Sequence, residues 1–259
     1  MRRRARLIAG AIALLAGGPA SGHVAPSERE NNRYVLLAPL GDRLRLVYTV
    51  YMGQVPGRRA RQRMDRDGDG RISDAEADEY GRQTAAQAAP RLSLEVDGRQ
   101  VPIVWQEVDV GLGQPVTDAG AFAVDMVVWV CFERPRERLE HRVRFHDRFH
   151  LPDPGETELR AEESPGVRIT RSQLGDAGKS GAVRLDFRWM GGPGPAETDG
   201  YTLELAVDPA LATFTGESCG EPAEQSQLAP RLIALTGALL AIGIALWVIR
   251  RRSKVKGRK

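Results

Sequence analysis

The chain lacks the short motifs by which many enzymes are recognised. Its 259 residues contain no G-x-S-x-G nucleophile turn, no glycine-rich phosphate loop and no convincing pair of catalytic carboxylates. No internal repeat is found either. We therefore expect a non-enzymatic protein, with a hydrolase that has no readable motif as an alternative.

Cysteine and lysine are also scarce. The chain has two cysteines, and neither lies near residue 22, which argues against an N-terminal lipid anchor. Residues 23–230 contain 24 arginines but only one lysine, a bias that favours a GC-rich bacterial source. The same residues carry 25 basic and 34 acidic side chains, a net charge of about −9. An acidic body gives no electrostatic case for nucleic-acid binding.

Long apolar runs are confined to the two ends. Residues 1–22 combine an arginine-rich head, a short apolar run and small residues at the end, which predicts a secretory signal peptide. Residues 231–249 predict one transmembrane helix, because the 18 residues at 232–249 carry no charge and rise about 27 Å as a helix. The tail at 250–259 holds seven basic residues and no acid, and so predicts a cytoplasmic end. We expect a single-pass protein of the cytoplasmic membrane whose main domain is periplasmic or extracellular.

Between these ends, apolar and polar residues alternate with the period of β-strands. The run 121–132 places its even-numbered residues on one apolar face, from Phe122 to Phe132. Asp97 and Gly98 separate two short strands and suit a turn with positive φ. About ten such strands predict a mainly β exported domain at 23–210, an antiparallel β-sandwich. Residues 211–230 show little pattern and are interpreted as a stalk.

One acidic stretch, MDRDGDGRISDAEADEY at 64–80, matches the calcium-loop template D-x-[DN]-x-[DN]-G-x5-E. Gly70 falls where that template turns sharply and needs a glycine conformation. A calcium ion would relieve the repulsion between so many neighbouring carboxylates, and it prefers six to eight oxygen ligands. The predicted ligands are Asp65, Asp67, Asp69, Arg71 through its backbone carbonyl, Ser73 and Glu76.

The flanking residues predict helices on both sides of this loop. Ser73 and Glu76 have the spacing of a capping box for a helix at 74–87, and Pro56 suits the first turn of the preceding helix. The unit at 56–88 resembles an EF-hand, but the chain has no second loop to pair with Ile72. We expect the sandwich to cover Ile72 near the strand that begins at residue 91. The arginine-rich first helix offers little apolar face, so a structural site with a Kd of about 10⁻⁴ to 10⁻³ M is favoured over a sensor.

Two further stretches carry a family resemblance: NRYVLLAPLGDRLRLVYTVYMGQVP before the loop and LSLEVDGRQVPI after it. With the loop, they resemble the exported domain of bacterial nickel/cobalt exporter-like membrane proteins over residues 31–105. The multi-span transporter body of that family is not found in this sequence. The resemblance implies an accessory or stand-alone version of the ectodomain, and another membrane exporter or surface protein as a partner.

The histidines suggest a second metal hypothesis. His23 would become the mature N-terminus after cleavage and could then chelate copper or nickel, although an incidental residue is favoured. His146 and His150 are four residues apart, so on one strand they would share a face and could form a transition-metal site. Accessory binding of nickel, cobalt or copper is therefore the alternative to calcium binding.

Cys131 and Cys219 leave two possibilities open. Cys131 lies on the strand face opposite Phe122 and Phe132, beside Asp125 and Trp129, which disfavours a plain core position. An exported compartment permits oxidation. A disulfide that ties the stalk to the sheet and two reduced cysteines are both compatible with the sequence.

Overall fold

The computed structural model describes residues 28–133, 137–175 and 183–214. The predicted signal peptide, membrane span and basic tail lie outside the described residues, as does the stalk beyond residue 214. In the part of the chain that is described, no helix is long and apolar enough to cross a membrane.

The described residues form eleven strands and three α-helices, with the first two helices inserted between the second and third strands. The strands are β1 Asn31–Pro39, β2 Arg43–Met52, β3 Leu92–Val96, β4 Arg99–Val101, β5 Glu107–Gly111, β6 Phe122–Cys131, β7 Glu140–Asp147, β8 Pro154–Ala161, β9 Val167–Leu174, β10 Asp186–Met190 and β11 Tyr201–Val207. The helices are α1 Gln54–Met64, α2 Asp74–Ala88 and the short α3 Gly194–Thr198, and a 3-10 turn at Ala89–Arg91 follows α2.

The strands assemble into two sheets. One has six strands in the order β10-β8-β1-β2-β6-β5, and the other has five in the order β4-β3-β7-β11-β9. Every neighbouring pair is antiparallel except β1 and β8, which run parallel. The prediction of a mainly β, largely antiparallel domain is confirmed, whereas the parallel pair was not predicted.

One hydrophobic core lies between the sheets. It joins side chains of the first sheet, such as Leu46 and Met126, to side chains of the second, such as Phe145 and Leu203. All four are fully buried, and each such side chain stabilises the fold by roughly 1.5–3 kcal/mol. The even-numbered residues of 122–132 are buried as the alternation predicts.

A buried ionic cluster crosses this core. Arg33 of β1 pairs with Asp147 of β7, with Nε and Oδ2 3.0 Å apart, and both side chains are almost fully buried. The Tyr48 hydroxyl donates to the same oxygen at 2.9 Å. Because β1 and β2 belong to one sheet and β7 to the other, the cluster links the two sheets across the core.

The turn between β3 and β4 follows the predicted chemistry. Asp97 has a φ of 53° and Gly98 a φ of 82°, the pair of positive values that a two-residue hairpin turn needs. β3 extends up to the turn as predicted, whereas β4 ends at Val101, before the end of the alternating run at 91–105.

The helical insert rests on β5, a strand that was not predicted. Gly81 of α2 faces Val108 and Val110 so closely that an added Cβ would come within 3.1 Å of both side chains. Tyr80 packs edge-on against Phe122, with ring centroids 5.7 Å apart. Glycine at position 81 therefore lets α2 approach the sheet, and this contact positions the loop between α1 and α2.

Candidate metal centre

The acidic loop lies between two helices, as its flanking residues predict. α1 ends at Met64 and α2 begins at Asp74. Ser73 caps α2: its hydroxyl accepts from the Glu76 N–H, while a Glu76 carboxylate oxygen accepts from the Ser73 N–H at 2.9 Å. The predicted capping box is confirmed. The observed helices begin or end within two residues of the predicted limits, at Gln54 and Ala88.

Backbone N–H groups hold the carboxylates inside the loop. The two oxygens of Asp65 accept from Gly68 at 2.7 Å and from Gly70 at 3.0 Å. Gly68 and Gly70 have φ values of 75° and 81°, where side chains with a Cβ are disfavoured. The predicted glycine turn at Gly70 is confirmed. Because the turn aims these N–H groups inward, the Asp65 carboxylate stays over the loop.

Three of the predicted ligand residues converge. Asp65, Asp67 and Glu76 each offer an oxygen within 4.8 Å of the others, and in the described ranges this is the one such group of three among His, Cys, Asp and Glu. Glu76 reaches back across the loop because its Oε1 accepts from the Arg66 N–H at 2.7 Å. The first and last positions of the template are thus adjacent in space.

The other predicted ligand residues lie in the same loop but are not in that group. Asp69 accepts from the Arg71 N–H at 2.7 Å. The Ser73 hydroxyl is 2.8 Å from Glu76 Oε2 and donates to it. Arg71 forms an antiparallel bridge with Val116. Each of these oxygens keeps a further lone pair, so Asp69 and Ser73 need not give up these bonds to bind an ion.

Hydrogen bonding favours the charged form of Glu76. The Arg66 N–H, followed by the N–H and hydroxyl of Ser73, holds the pKa of this carboxyl below its ordinary value. Because hydrogen bonds to the ionised form favour ionisation, Glu76 carries a full charge at neutral pH. An ionised carboxylate is the form that binds a hard cation.

Ile72 is covered within the chain. It is 4% exposed, its N–H donates to the Pro115 carbonyl at 3.0 Å, and the Gly70 carbonyl accepts from the Thr117 N–H at 3.1 Å. Burial within one chain is confirmed. The backbone of the loop pairs with the connection between β5 and β6, a partner that was not predicted.

Arg61 holds the connection between β5 and β6 in place. Its side chain is fully buried, and the guanidinium donates to the carbonyls of Leu112 at 2.5 Å, Gln114 at 2.6 Å and Gly120 at 2.9 Å. It also lies over the Phe122 ring, 5.3 Å from its centroid. Arg61 therefore fastens α1 to the segment at 112–121, here called the bracing segment.

Arg61 lies on the buried stripe of α1, the helix that was expected to offer little apolar face. The buried residues of α1 are Gly57, Ala60, Arg61 and Met64, which follow the spacing of one helical stripe. This spacing is visible in the sequence and could have been used to predict the buried face of α1. An arginine among small and apolar positions on one stripe indicates a buried guanidinium that needs carbonyl partners.

The described histidines do not support the transition-metal hypothesis. His146 lies on β7, but that strand ends at Asp147, so His150 lies beyond it and is not on the same strand face. The His150 ring is instead 3.3 Å from Glu197. His141 is buried, stacks on Phe132 and has its Nδ1 2.8 Å from Asp97. His23 lies outside the described residues.

Cys131 is disulfide-bonded. The chain has only one other cysteine, Cys219, which lies outside the described residues. Of the two possibilities left open by the sequence, oxidation is therefore favoured. Cys131, Asp125 and Trp129 are partly exposed on the outer face of β6, as predicted.

A scan against protein-family models finds no match for this chain, and a search of the curated proteins finds none. The resemblance to exporter-associated ectodomains therefore remains a prediction that rests on the residues alone.

Proposed function

We propose that this protein is a membrane-anchored, exported calcium-binding module without enzymatic activity. In this proposal an EF-hand-type helix–loop–helix is inserted into a β-sandwich, and a C-terminal helix holds the domain at the cytoplasmic membrane. The observation that carries the proposal is the convergence of Asp65, Asp67 and Glu76 to within 4.8 Å in a loop with the calcium spacing.

The chemistry of the loop favours calcium over other ions. Its candidate donors are carboxylate, hydroxyl and carbonyl oxygens, which are the ligands of hard cations. Six to eight oxygens at 2.3–2.6 Å suit Ca²⁺, whereas Mg²⁺ requires a smaller octahedral site. In this hypothesis the ion draws the oxygens of Asp69 and Ser73 towards those of Asp65, Asp67 and Glu76, and it neutralises the repulsion between the acids.

The bracing segment favours a structural rather than a signalling site. In paired EF-hands a second loop lies beside position 8 of the first, whereas here the bracing segment bonds to Gly70 and Ile72. Arg61 ties that segment to α1. A helix pair fixed in this way has little freedom to open, so we propose that calcium stabilises the domain, with a Kd of about 10⁻⁴ to 10⁻³ M.

Titration calorimetry of the full-length chain in detergent tests the proposal. Calcium should bind the wild type at one site, and Glu76→Gln should weaken binding at least tenfold because a bidentate charge is lost. Asp78→Asn is the matched control, since Asp78 is exposed on α2 and outside the cluster. Absence of calcium binding to the wild type, or equal losses in the two variants, would overturn the proposal.

A further inference from the structure

A separate cavity lies between the two helices of the insert and the segment at 149–153. Its volume is about 400 Å³, within the range of small-molecule sites. One wall is a stripe of α1 formed by Pro56, Arg59 and Arg63, and the facing wall includes Tyr80, Gln83 and Gln87 of α2. Both stripes follow helical spacing, so each presents one continuous face to the cavity.

The cavity has an apolar part. Met52, Phe149 and Leu151 line it, and Met52 and Leu151 are buried while Phe149 is half-buried. A cavity that combines apolar surface with a few polar groups is typical of sites that bind small organic molecules.

The charged part of the lining is mainly basic. Arg59 and Arg63 are exposed, and in the described ranges neither forms an ion pair with a carboxylate within 4.0 Å. Arg63 interacts with the Tyr80 hydroxyl. Asp153 is the acidic residue of the lining, and His150 lies beside Glu197. The cavity therefore presents two guanidinium groups that are not neutralised by a carboxylate, in a domain whose net charge is about −9.

We propose that this cavity binds a small organic acid. The guanidinium groups of Arg59 and Arg63 bind the carboxylate of the ligand. Its apolar body packs against Met52, Phe149 and Leu151. Guanidinium matches carboxylate geometry better than other cationic side chains, because its planar donors bind both oxygens. The site goes beyond calcium binding, since it contains none of the acidic loop residues.

Butyrate and butylamine serve as matched probes, because they share an apolar body and carry opposite charges. The full-length chain, labelled with ¹⁵N in detergent, is titrated with each probe and followed by amide shifts. Butyrate should shift the amides of Tyr80, Gln83 and Gln87 in a saturable way, and butylamine should not. A lack of shifts at these residues with butyrate, or equal shifts with butylamine, would overturn the proposal.

Substitutions on one helix identify the groups that bind. Arg59→Gln should weaken butyrate binding about tenfold, the effect of losing a charge-assisted hydrogen bond. Arg58→Gln is the control, because Arg58 is exposed on α1 but does not line the cavity. Both changes are at exposed positions, and thermal unfolding verifies that the variants are folded. Equal weakening in the two variants would contradict the assignment.

Discussion

His141 has the chemistry of a metal ligand but the surroundings of a core residue. Its ring stacks on Phe132 with centroids 4.1 Å apart, and its Nδ1 contacts Asp97. Asp97 also accepts from the Arg142 N–H at 2.9 Å and pairs with Arg138 at 3.1 Å. A single carboxylate in the β3–β4 turn thus anchors the start of β7.

The pKa of Asp97 predicts how this anchor responds to acid. Burial raises the pKa, but hydrogen bonds from His141, the Arg142 N–H and Arg138 outweigh burial and hold it below its ordinary value. The stabilisation is therefore complete above the unfolded pKa of about 4 and is lost as the pH falls through the lower folded pKa.

Asp97→Asn tests this prediction, since asparagine tolerates the positive φ at this position. In urea unfolding, the free energy of unfolding of the variant should be about 1.5 kcal/mol lower than that of the wild type at pH 7. This difference should shrink as the pH is lowered below about 4. Asp118→Asn, a change at an exposed position, should leave the pH dependence of the free energy of unfolding the same as in the wild type. A difference in the free energy of unfolding between Asp97→Asn and the wild type that stays constant down to low pH would contradict the prediction.

At the scale of elements, the helical insert depends on a connection with no regular structure of its own. The bracing segment pairs with the acidic loop through Pro115 and Thr117, and its carbonyls are satisfied by Arg61. Buried carbonyls without a donor are costly. The helices, the loop and the β5–β6 connection are therefore expected to unfold together.

Arg61→Leu should remove the side-chain hydrogen bonds that join α1 to the bracing segment. The substitution removes the guanidinium and leaves the part-buried carbonyls that it binds without this donor, at a cost of about 3 kcal/mol in the free energy of unfolding. Chemical denaturation measures the loss, and Arg58→Leu on the exposed side of α1 is the control. Similar small losses in both variants would show that the guanidinium network contributes little to stability.

At the scale of the whole molecule, the charge distribution and the predicted span predict an orientation in the membrane. The body at 23–230 is acidic, while the residues after the predicted span are basic. Basic flanks are retained on the cytoplasmic side, so we expect an exported body and one cytoplasmic tail.

Protease accessibility checks this orientation. Protease added outside bacterial spheroplasts that express the chain should digest the body and leave a small membrane-bound fragment. Inverted membrane vesicles are the matched control and should protect the body while the basic tail is removed. Protection of the body in spheroplasts would refute the topology.

Much of the local structure could be predicted because it depends on neighbouring residues. Alternation assigned the buried face of β6, since successive side chains of a strand point to opposite sides. The Asp97–Gly98 turn followed from the positive φ that such a turn needs. Ser73 and Glu76 predicted the start of α2, because a capping box is formed within one helical turn. The acidic loop was found in the same way, from spacing within a few residues.

The parts that were missed depend on which distant segments meet. β5 shows little apolar character by itself, and it is a strand because it pairs with β6 and supports α2. The strand geometry proposed for His146 and His150 failed because β7 ends at Asp147, which turns inward to pair with Arg33.

The sequence by itself determined most of the strands, the turn, the helix cap and the order of acids in the loop, because backbone preference and side-chain periodicity act over a few residues. Only the tertiary structure decided that the segment around Pro115 pairs with Ile72 and that Arg61 is buried. It also decided that Arg59 and Arg63 face a cavity. These features join groups more than 40 residues apart along the chain. Such contacts follow from how the two sheets and the helices pack, which no local pattern specifies.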